Sequence, residues 1–235
     1  MRRGLRSLTV ATLAVVLVGG GKAEAQMVTL DEGTFRVFVD DQAVGTEAFS
    51  IRRSGSGVNA QVIATGEVRL QLPEGRLELR PALQLSGTTE LAVSAYQIRV
   101  SGHREEEIFV TLGDRRFLTS VRSERGEQER ELRAAPGTFL LDTDVAHQYY
   151  VLAQRSPAVG ASVPVIVPRD GGQHDLRITD IRATTIAIAG QEVPATLWRL
   201  EGDRETRELW TDDEGRVLAV HRPASSYRAV RERIP

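Results

Sequence analysis

Apolar side chains recur at every second position through much of this sequence, and that period constrains the fold more than any other feature. Leu77, Leu79, Leu83 and Leu85 share one face of a stretch whose other face carries Glu78, Arg80 and Gln84. Thr34–Asp40, Gly45–Arg52, Glu67–Leu72, Glu107–Leu112 and Arg116–Ser123 alternate in the same way. A strand puts residues i and i+2 on one face; a helix does not. One-sided apolar alternation marks an antiparallel sheet with one packed face and one wet face. The punctuation agrees: Asp41-Gln42, Pro73-Glu74-Gly75 and Gly113-Asp114 are short, turn-forming connections. Pro81 falls inside its run, which predicts an edge strand or a bulge there. Between Glu90 and Ser101 the apolar side shifts from Leu91 and Val93 to Tyr96, Ile98 and Val100, which predicts a bulge near Ala95. The mixed-sign segment Arg122–Arg133 reads as a solvated strand pair or loop.

The same period returns in Ala195–Arg222, read as three antiparallel strands joined at Gly202-Asp203 and Asp212–Gly215. Trp198, Leu200, Trp210, Leu218 and Val220 supply its apolar side chains; Arg199, Glu201, Arg204, Glu205 and Arg207 supply the wet ones. Ser162–Pro168, Asp175–Arg182 and Thr184–Ala189 read as strands before it, Gly190–Pro194 as a turn, and Tyr227–Pro235 as a frayed tail. The pattern breaks once, in Thr138–Arg155. There Val145, Tyr149 and Leu152 recur at i, i+4 and i+7, which predicts a helix over 142–155. Asp142 or Thr143 would cap it, Asp144 would sit at the positive end of its dipole, and Pro157 and Gly160 would stop it. The expected fold is mainly β: a strongly curved antiparallel sheet, an incomplete barrel, with one main helix packed on its concave face. A ribbon of strands needs such a cover.

Met1–Ala25 has the layout of an export signal: Arg2, Arg3 and Arg6, then the apolar run Leu8–Val18, then Ala23-Glu24-Ala25 as a small-x-small cleavage pattern. Arg2-Arg3 stands where a twin-arginine signal has its pair, but the rest of that motif is poorly met, which favours the general secretory route. The mature chain, 26–235, is expected to be a single curved β-sheet domain with no membrane-spanning segment, periplasmic or secreted. Losing Arg2, Arg3, Arg6, Lys22 and Glu24 takes the formal charge from −2 to −5. That balance argues against nucleic acid as a partner. There is no cysteine, which removes disulfides and thiolate metal sites, and Lys22 is the sole lysine, which removes Schiff-base and P-loop chemistry from the mature chain.

Candidates for chemistry are few. There is no Gly-x-Ser-x-Gly elbow and no His-Glu-x-x-His motif. Asp142, Asp144 and His147 form the one local group with metal-like spacing; a capping aspartate and a surface histidine explain it better, since a site needs three or four converging ligands. No catalytic residue, metal or cofactor is assigned. The aromatic side chains point elsewhere: Phe139, Tyr149, Trp198 and Trp210 are the candidate ligand-binding residues, lining an apolar pocket between helix and curved sheet, if they are not ordinary core.

Three stretches carry a resemblance: the opening hairpin FRVFVDDQAVGTEAFSI, the mid-chain PGTFLLDTDVAHQYYVL, and LWTDDEGRVLAV near the C-terminus. Together they resemble exported bacterial β-sheet proteins of unknown function related to the lipoprotein-carrier (LolA/LolB-like) fold. The resemblance implies a bent sheet whose concavity takes acyl chains. On that basis the expected role is an exported, non-catalytic cell-envelope protein binding a lipid or another apolar small molecule. The alternatives are a structural or interaction module with an envelope protein as partner, and a periplasmic hydrolase using acidic residues or a metal.

Overall fold

The computed structural model describes residues 27–203 and 205–235; the export signal expected at Met1–Ala25 lies outside them. The first half of the chain is a meander of long strands: β1 (Val28–Val39), β2 (Gln42–Ser54), β3 (Gln61–Leu72), β4 (Gly75–Ser86), β5 (Ala92–Gly102), β6 (Glu106–Leu112), β7 (Arg116–Ser123) and β8 (Gly126–Arg133). Each pairs antiparallel with the next. After β9 (Phe139–Leu140) and the helix α1 (Tyr149–Arg155) the chain makes a second meander. It comprises β10 (Ser162–Val167), β11 (Gly172–Ile188), β12 (Gln191–Glu201), β13 (Thr206–Thr211), β14 (Val217–Arg222) and β15 (Tyr227–Arg231).

All fifteen strands belong to one sheet, because β15 pairs with β1 on one side and β14 on the other. The predicted tail is therefore the strand that joins the two halves. Its edges are β8 and β9, and they are not paired with each other. The sheet curls until the end of β8 meets the start of β11: the Gln173 side chain accepts the Arg133 N–H at 3.0 Å and donates to the Arg133 carbonyl at 2.6 Å. This amide copies the bonds a neighbouring strand would make across the seam. The structure is thus a curved, mainly antiparallel sheet that stops short of a closed barrel.

The alternation sorts side chains as expected. Phe35, Val37, Ile51, Leu79, Leu83, Leu85 and Ile98 face inward and are buried in one continuous core, to which α1 contributes Tyr149–Ala153. The outer face carries cross-strand ion pairs such as Arg99–Glu107 and Arg122–Glu127, both 3.2 Å. Exposed pairs of this kind contribute at most about 1 kcal/mol each, so stability rests on the inner face. The bulge falls at Ser94, beside Ala95, where the β4–β5 register slips. Pro81 lies in an interior strand, and the β3–β4 ladder is interrupted opposite it, at Gly66 and Glu67. Ala189 and Gly190 alone turn β11 into β12, both with positive φ; Gln191–Pro194, read as part of the turn, is strand.

The helix is shorter than its periodicity predicts. Phe139 and Leu140 form β9, parallel to β10 at Val165 and Ile166, and 142–148 is a compact, non-helical plug with Asp144 at φ +60°. Val145 is buried in the same core as Tyr149 and Leu152, so apolar spacing is satisfied without helical backbone. Asp142 and Thr143 do not cap α1; Gln148 precedes it with no side-chain capping bond.

Candidate functional site

The plug is held by groups from the sheet. Glu47 has the same parity as Phe49 and Ile51, so β2 carries its carboxylate into the core, where it is fully buried. One oxygen accepts the Ala146 N–H at 2.7 Å; the other accepts the His147 N–H at 2.9 Å and the His147 Nδ1 proton at 2.6 Å. The His147 ring stacks on Phe49 with centroids 5.8 Å apart, and Phe49 stacks on Phe35 at 5.1 Å. Gly66, opposite Phe49 in β3, makes room for that ring: a Cβ there would come within 2.7 Å of His147 Cε1. His147 is therefore buried, not a surface residue as its sequence context suggests.

Asp142 is the second centre. It accepts the Tyr96 hydroxyl at 2.7 Å and the N–H groups of Thr143 at 3.0 Å and Arg169 at 3.1 Å. The Arg169 guanidinium reaches Asp142 at 3.7 Å, Asp144 at 3.0 Å and the Thr143 carbonyl. Burial pushes the Asp142 carboxyl above its ordinary range despite Arg169 and Tyr96 pulling it down. Burial and the Asp142 charge together push the Tyr96 hydroxyl well up, so it stays a donor. Of Asp142, Asp144 and His147, grouped as possible ligands by spacing, the two aspartates share Arg169 while His147 turns to Glu47. Among the described residues no three His, Cys, Asp or Glu side chains form a metal-holding group.

A third set crosses from interior to surface. Arg207, read from the ribbon as a wet residue, is almost fully buried; it donates to Tyr149 Oη at 3.1 Å and to Glu205 at 2.6 Å. His174 lies 2.8 Å from Glu205 and Arg222 3.7 Å from it. Partial burial raises the Glu205 carboxyl, but hydrogen bonds from His174 and Arg207 and the charges of Arg207 and Arg222 outweigh it and hold the group down at about 2, against an ordinary 4.5. A depressed folded pKa means a stabilisation fully present above pH 4.5 and lost as the pH falls toward 2. Thermal unfolding between pH 5 and 2 is expected to show a steeper loss for the native chain than for Glu205→Gln. Parallel curves would contradict the assignment.

The four aromatic candidates do not share one pocket. Phe139, Tyr149 and Trp198 are buried in the main core. The Arg155 guanidinium lies 4.1 Å over the Phe139 ring, and Trp198 Nε1 donates to Thr211 Oγ1 at 3.1 Å. Trp210 faces the other way. It pairs with Leu197, while Trp198 pairs with Leu209, so the two tryptophans occupy opposite faces of β12–β13. Trp210 packs outside, with Ile186, Ile188, Val193, Ala195 and Leu218. A bulge between Trp210 and Thr211 in the β13–β14 ladder lets Leu218 join that outer group while Val217 stays inside.

Beside this outer group runs a groove of about 430 Å³, floored by Val193, Ala195 and Leu218, closed by Ile234 and Pro235, and edged by Asp212, Asp213 and Arg216. Sequence reading missed it, because its parts come from three separate segments. Four further hollows of comparable size lie along charge-lined turns and strand faces, one of them with Phe109 and Leu118 beside Glu129, Arg130 and Glu131, and none of the five is lined by Phe139, Tyr149, Trp198 or Trp210.

No protein-family model matches the sequence, and no curated protein does. A solved structure shares the fold. A beta-barrel-like protein of domain of unknown function DUF1849 from Brucella abortus is 7% identical, with 85% of this chain and 93% of that one covered and a TM-score of 0.52. A DUF1089 family protein from Pseudomonas aeruginosa is 13% identical over 76% of this chain and 90% of that one; its TM-score of 0.43 is too low to bear on the fold. The β-barrel-like architecture is therefore shared with a protein of unknown function.

Proposed function

We propose that this chain is an exported, non-catalytic binding module of the cell envelope, periplasmic or secreted, that takes an apolar ligand or partner on its outer face. The observation that carries this reading is the groove beside Trp210. Among the five hollows it is the one with several aliphatic side chains in its lining, Val193 and Ala195 from β12, Leu218 from β14 and Ile234 from the C-terminus, beside the charges of Asp212, Asp213 and Arg216. Concave apolar sites with a few polar groups at the edge are the usual form of a ligand site. The absence of catalysis is supported by where the reactive side chains go. Glu47 and His147 are sealed in the core, and Asp142 is committed to Tyr96 and to Arg169.

Acyl-chain uptake between helix and sheet, which the lipoprotein-carrier resemblance implies, is the competing reading. It requires α1 to leave a core in which Tyr149, Val151 and Leu152 are buried. A fluorescent fatty acid separates the two. Val193→Glu places a charge in the groove floor and is expected to weaken binding at least tenfold, while Trp198→Phe in the interior leaves it within about twofold. The reverse pattern would support interior uptake, and no binding by the native chain would remove both.

A further inference from the structure

Two strands of this sheet have long open edges, and their residues treat those edges in opposite ways. β8 pairs with β7 and ends the sheet. Glu127, Glu129 and Glu131 alternate along it, all exposed. Residues that face each other across an antiparallel ladder share a face of the sheet. A two-fold axis through any residue from 128 to 131 would therefore set glutamate against glutamate. Like charges directly opposed are destabilising, and a charged edge is one way natural sheets turn away another strand.

β11 has the other open edge. Its ladder with β10 ends at the Ser162–Arg177 pair, and Gly160 and Ala161 then bond Ile178. From 179 to 188 it has β12 on one side, and among the described residues no strand pairs with the other. Every second residue of an antiparallel strand turns its N–H and C=O away from its partner, so the open side is a row of unpaired backbone groups. Here the charged guards are missing. Ala183–Ala189 reads ATTIAIA, with no charge, glycine or proline. Uncharged runs of roughly six or seven residues with high strand propensity are the kind that pair with another strand. Ala183, Thr185 and Ala187 are exposed and small, so no bulky side chain blocks approach. The two charges nearer the core, Asp180 and Arg182, pair with each other.

We propose that 179–188 is a self-association edge, along which a second copy of this chain adds its own β11 antiparallel about a two-fold axis at Thr184. The occupant follows from the register. With the axis there, Thr184 faces its counterpart, Ala183 faces Thr185, Arg182 faces Ile186, Ile181 faces Ala187 and Asp180 faces Ile188. This register uses the open edge up to the bulge at Thr179 and opposes no like charges. It also sets a threonine pair at the centre, one of the favourable cross-strand combinations. An axis at Ile181 would match Asp180 with Arg182 twice, but it carries Thr185 onto Arg177, which β10 already holds. A contact about a two-fold closes on itself, because each copy satisfies the other's open backbone groups and neither β11 edge is left to propagate. At each end the hairpin tip of one copy arrives beside Val159 of the other, an exposed apolar side chain next to Gly160.

Sedimentation velocity of the chain from Gln26 onward tests this. One strand pair buries less area than a permanent interface, so a reversible dimer with roughly micromolar dissociation is expected. Ala183→Glu combined with Thr185→Glu sets like charges against each other across the axis at two exposed positions. It is expected to weaken the dimer at least tenfold without lowering the unfolding temperature. Glu129→Gln on β8 is expected to leave the dimer unchanged. The chain has no cysteine, so single substitutions report the register: Thr184→Cys is expected to give a disulfide-linked dimer on oxidation, and Gln128→Cys to stay monomeric. A monomer at every concentration would overturn the proposal; if that monomer binds fatty acid, the groove reading stands without it. A dimer untouched by the double variant, or cross-linking at 128 in place of 184, would also overturn it. Growth past the dimer would mean open-ended strand addition and contradict the closed pair.

Discussion

Deleting the last nine residues, Tyr227–Pro235, is expected to leave no cooperatively folded protein. The alternation in that segment is short and interrupted by arginines, so the sequence alone marks it as dispensable. In the structure it is β15, the strand that joins the β1–β8 ladder to the β9–β14 ladder by backbone pairing. Its loss exposes the flanks of β1 and β14 and uncovers the core around Tyr227 and Ala229, both buried. It also strands Asp31. Arg231 pairs with Asp31, donates to the Val217 carbonyl at 2.6 Å and to the Glu32 carbonyl at 3.1 Å, and is almost fully buried. Removing one partner of a buried pair costs roughly 3–5 kcal/mol. Each large apolar side chain returned to water costs roughly 1.5–3 kcal/mol more. Against a total stability of about 5–15 kcal/mol these losses leave little or nothing. Circular dichroism and urea unfolding of the truncated chain check this. A truncated protein with a sharp transition near that of the full chain would mean that β15 does not hold the halves together.

Glu47→Ala is expected to be the most costly single substitution. The carboxylate accepts two backbone N–H groups and the imidazole proton, all in the core. Alanine leaves those donors without partners and without water, at a cost of roughly 3–5 kcal/mol. Glu67→Ala is the control: Glu67 pairs with Arg69 at 2.7 Å on the outer face, and its loss is expected to cost under about 1 kcal/mol. Urea unfolding of the two variants gives the comparison directly. Equal, small effects would mean that the plug draws its stability from apolar packing alone.

How much of this could be read from the sequence follows from what a two-residue period can and cannot carry. The sheet, its meanders and the bulge beside Ala95 were legible because each needs only local alternation. The inward polar residues were legible in part. Glu47 shares parity with Phe49 and Ile51, Arg207 with Leu209, and Gly66 with Ala64 and Val68, so each sits in the apolar phase of its strand. Their partners were not legible, since Glu47 meets residues 99 and 100 positions away. The helix start was misplaced because Val145 keeps helical spacing while the backbone around it does not. Trp198 and Trp210 looked like one aromatic set; antiparallel register puts them on opposite faces, a fact no single strand reveals. The outer groove draws on β11–β12, β14 and the C-terminus, and only the folded sheet brings them together.

Amide hydrogen exchange with and without a saturating fluorescent fatty acid tests most directly the claim that the interior is sealed and the partner is met outside. Protection of Ala146 and His147 is expected to stay unchanged, while exchange slows in 191–196 and 216–219. Faster exchange at 146–147, with slowing confined to the inward-facing strands, would show that the ligand displaces the plug and enters the sheet, and would contradict the account.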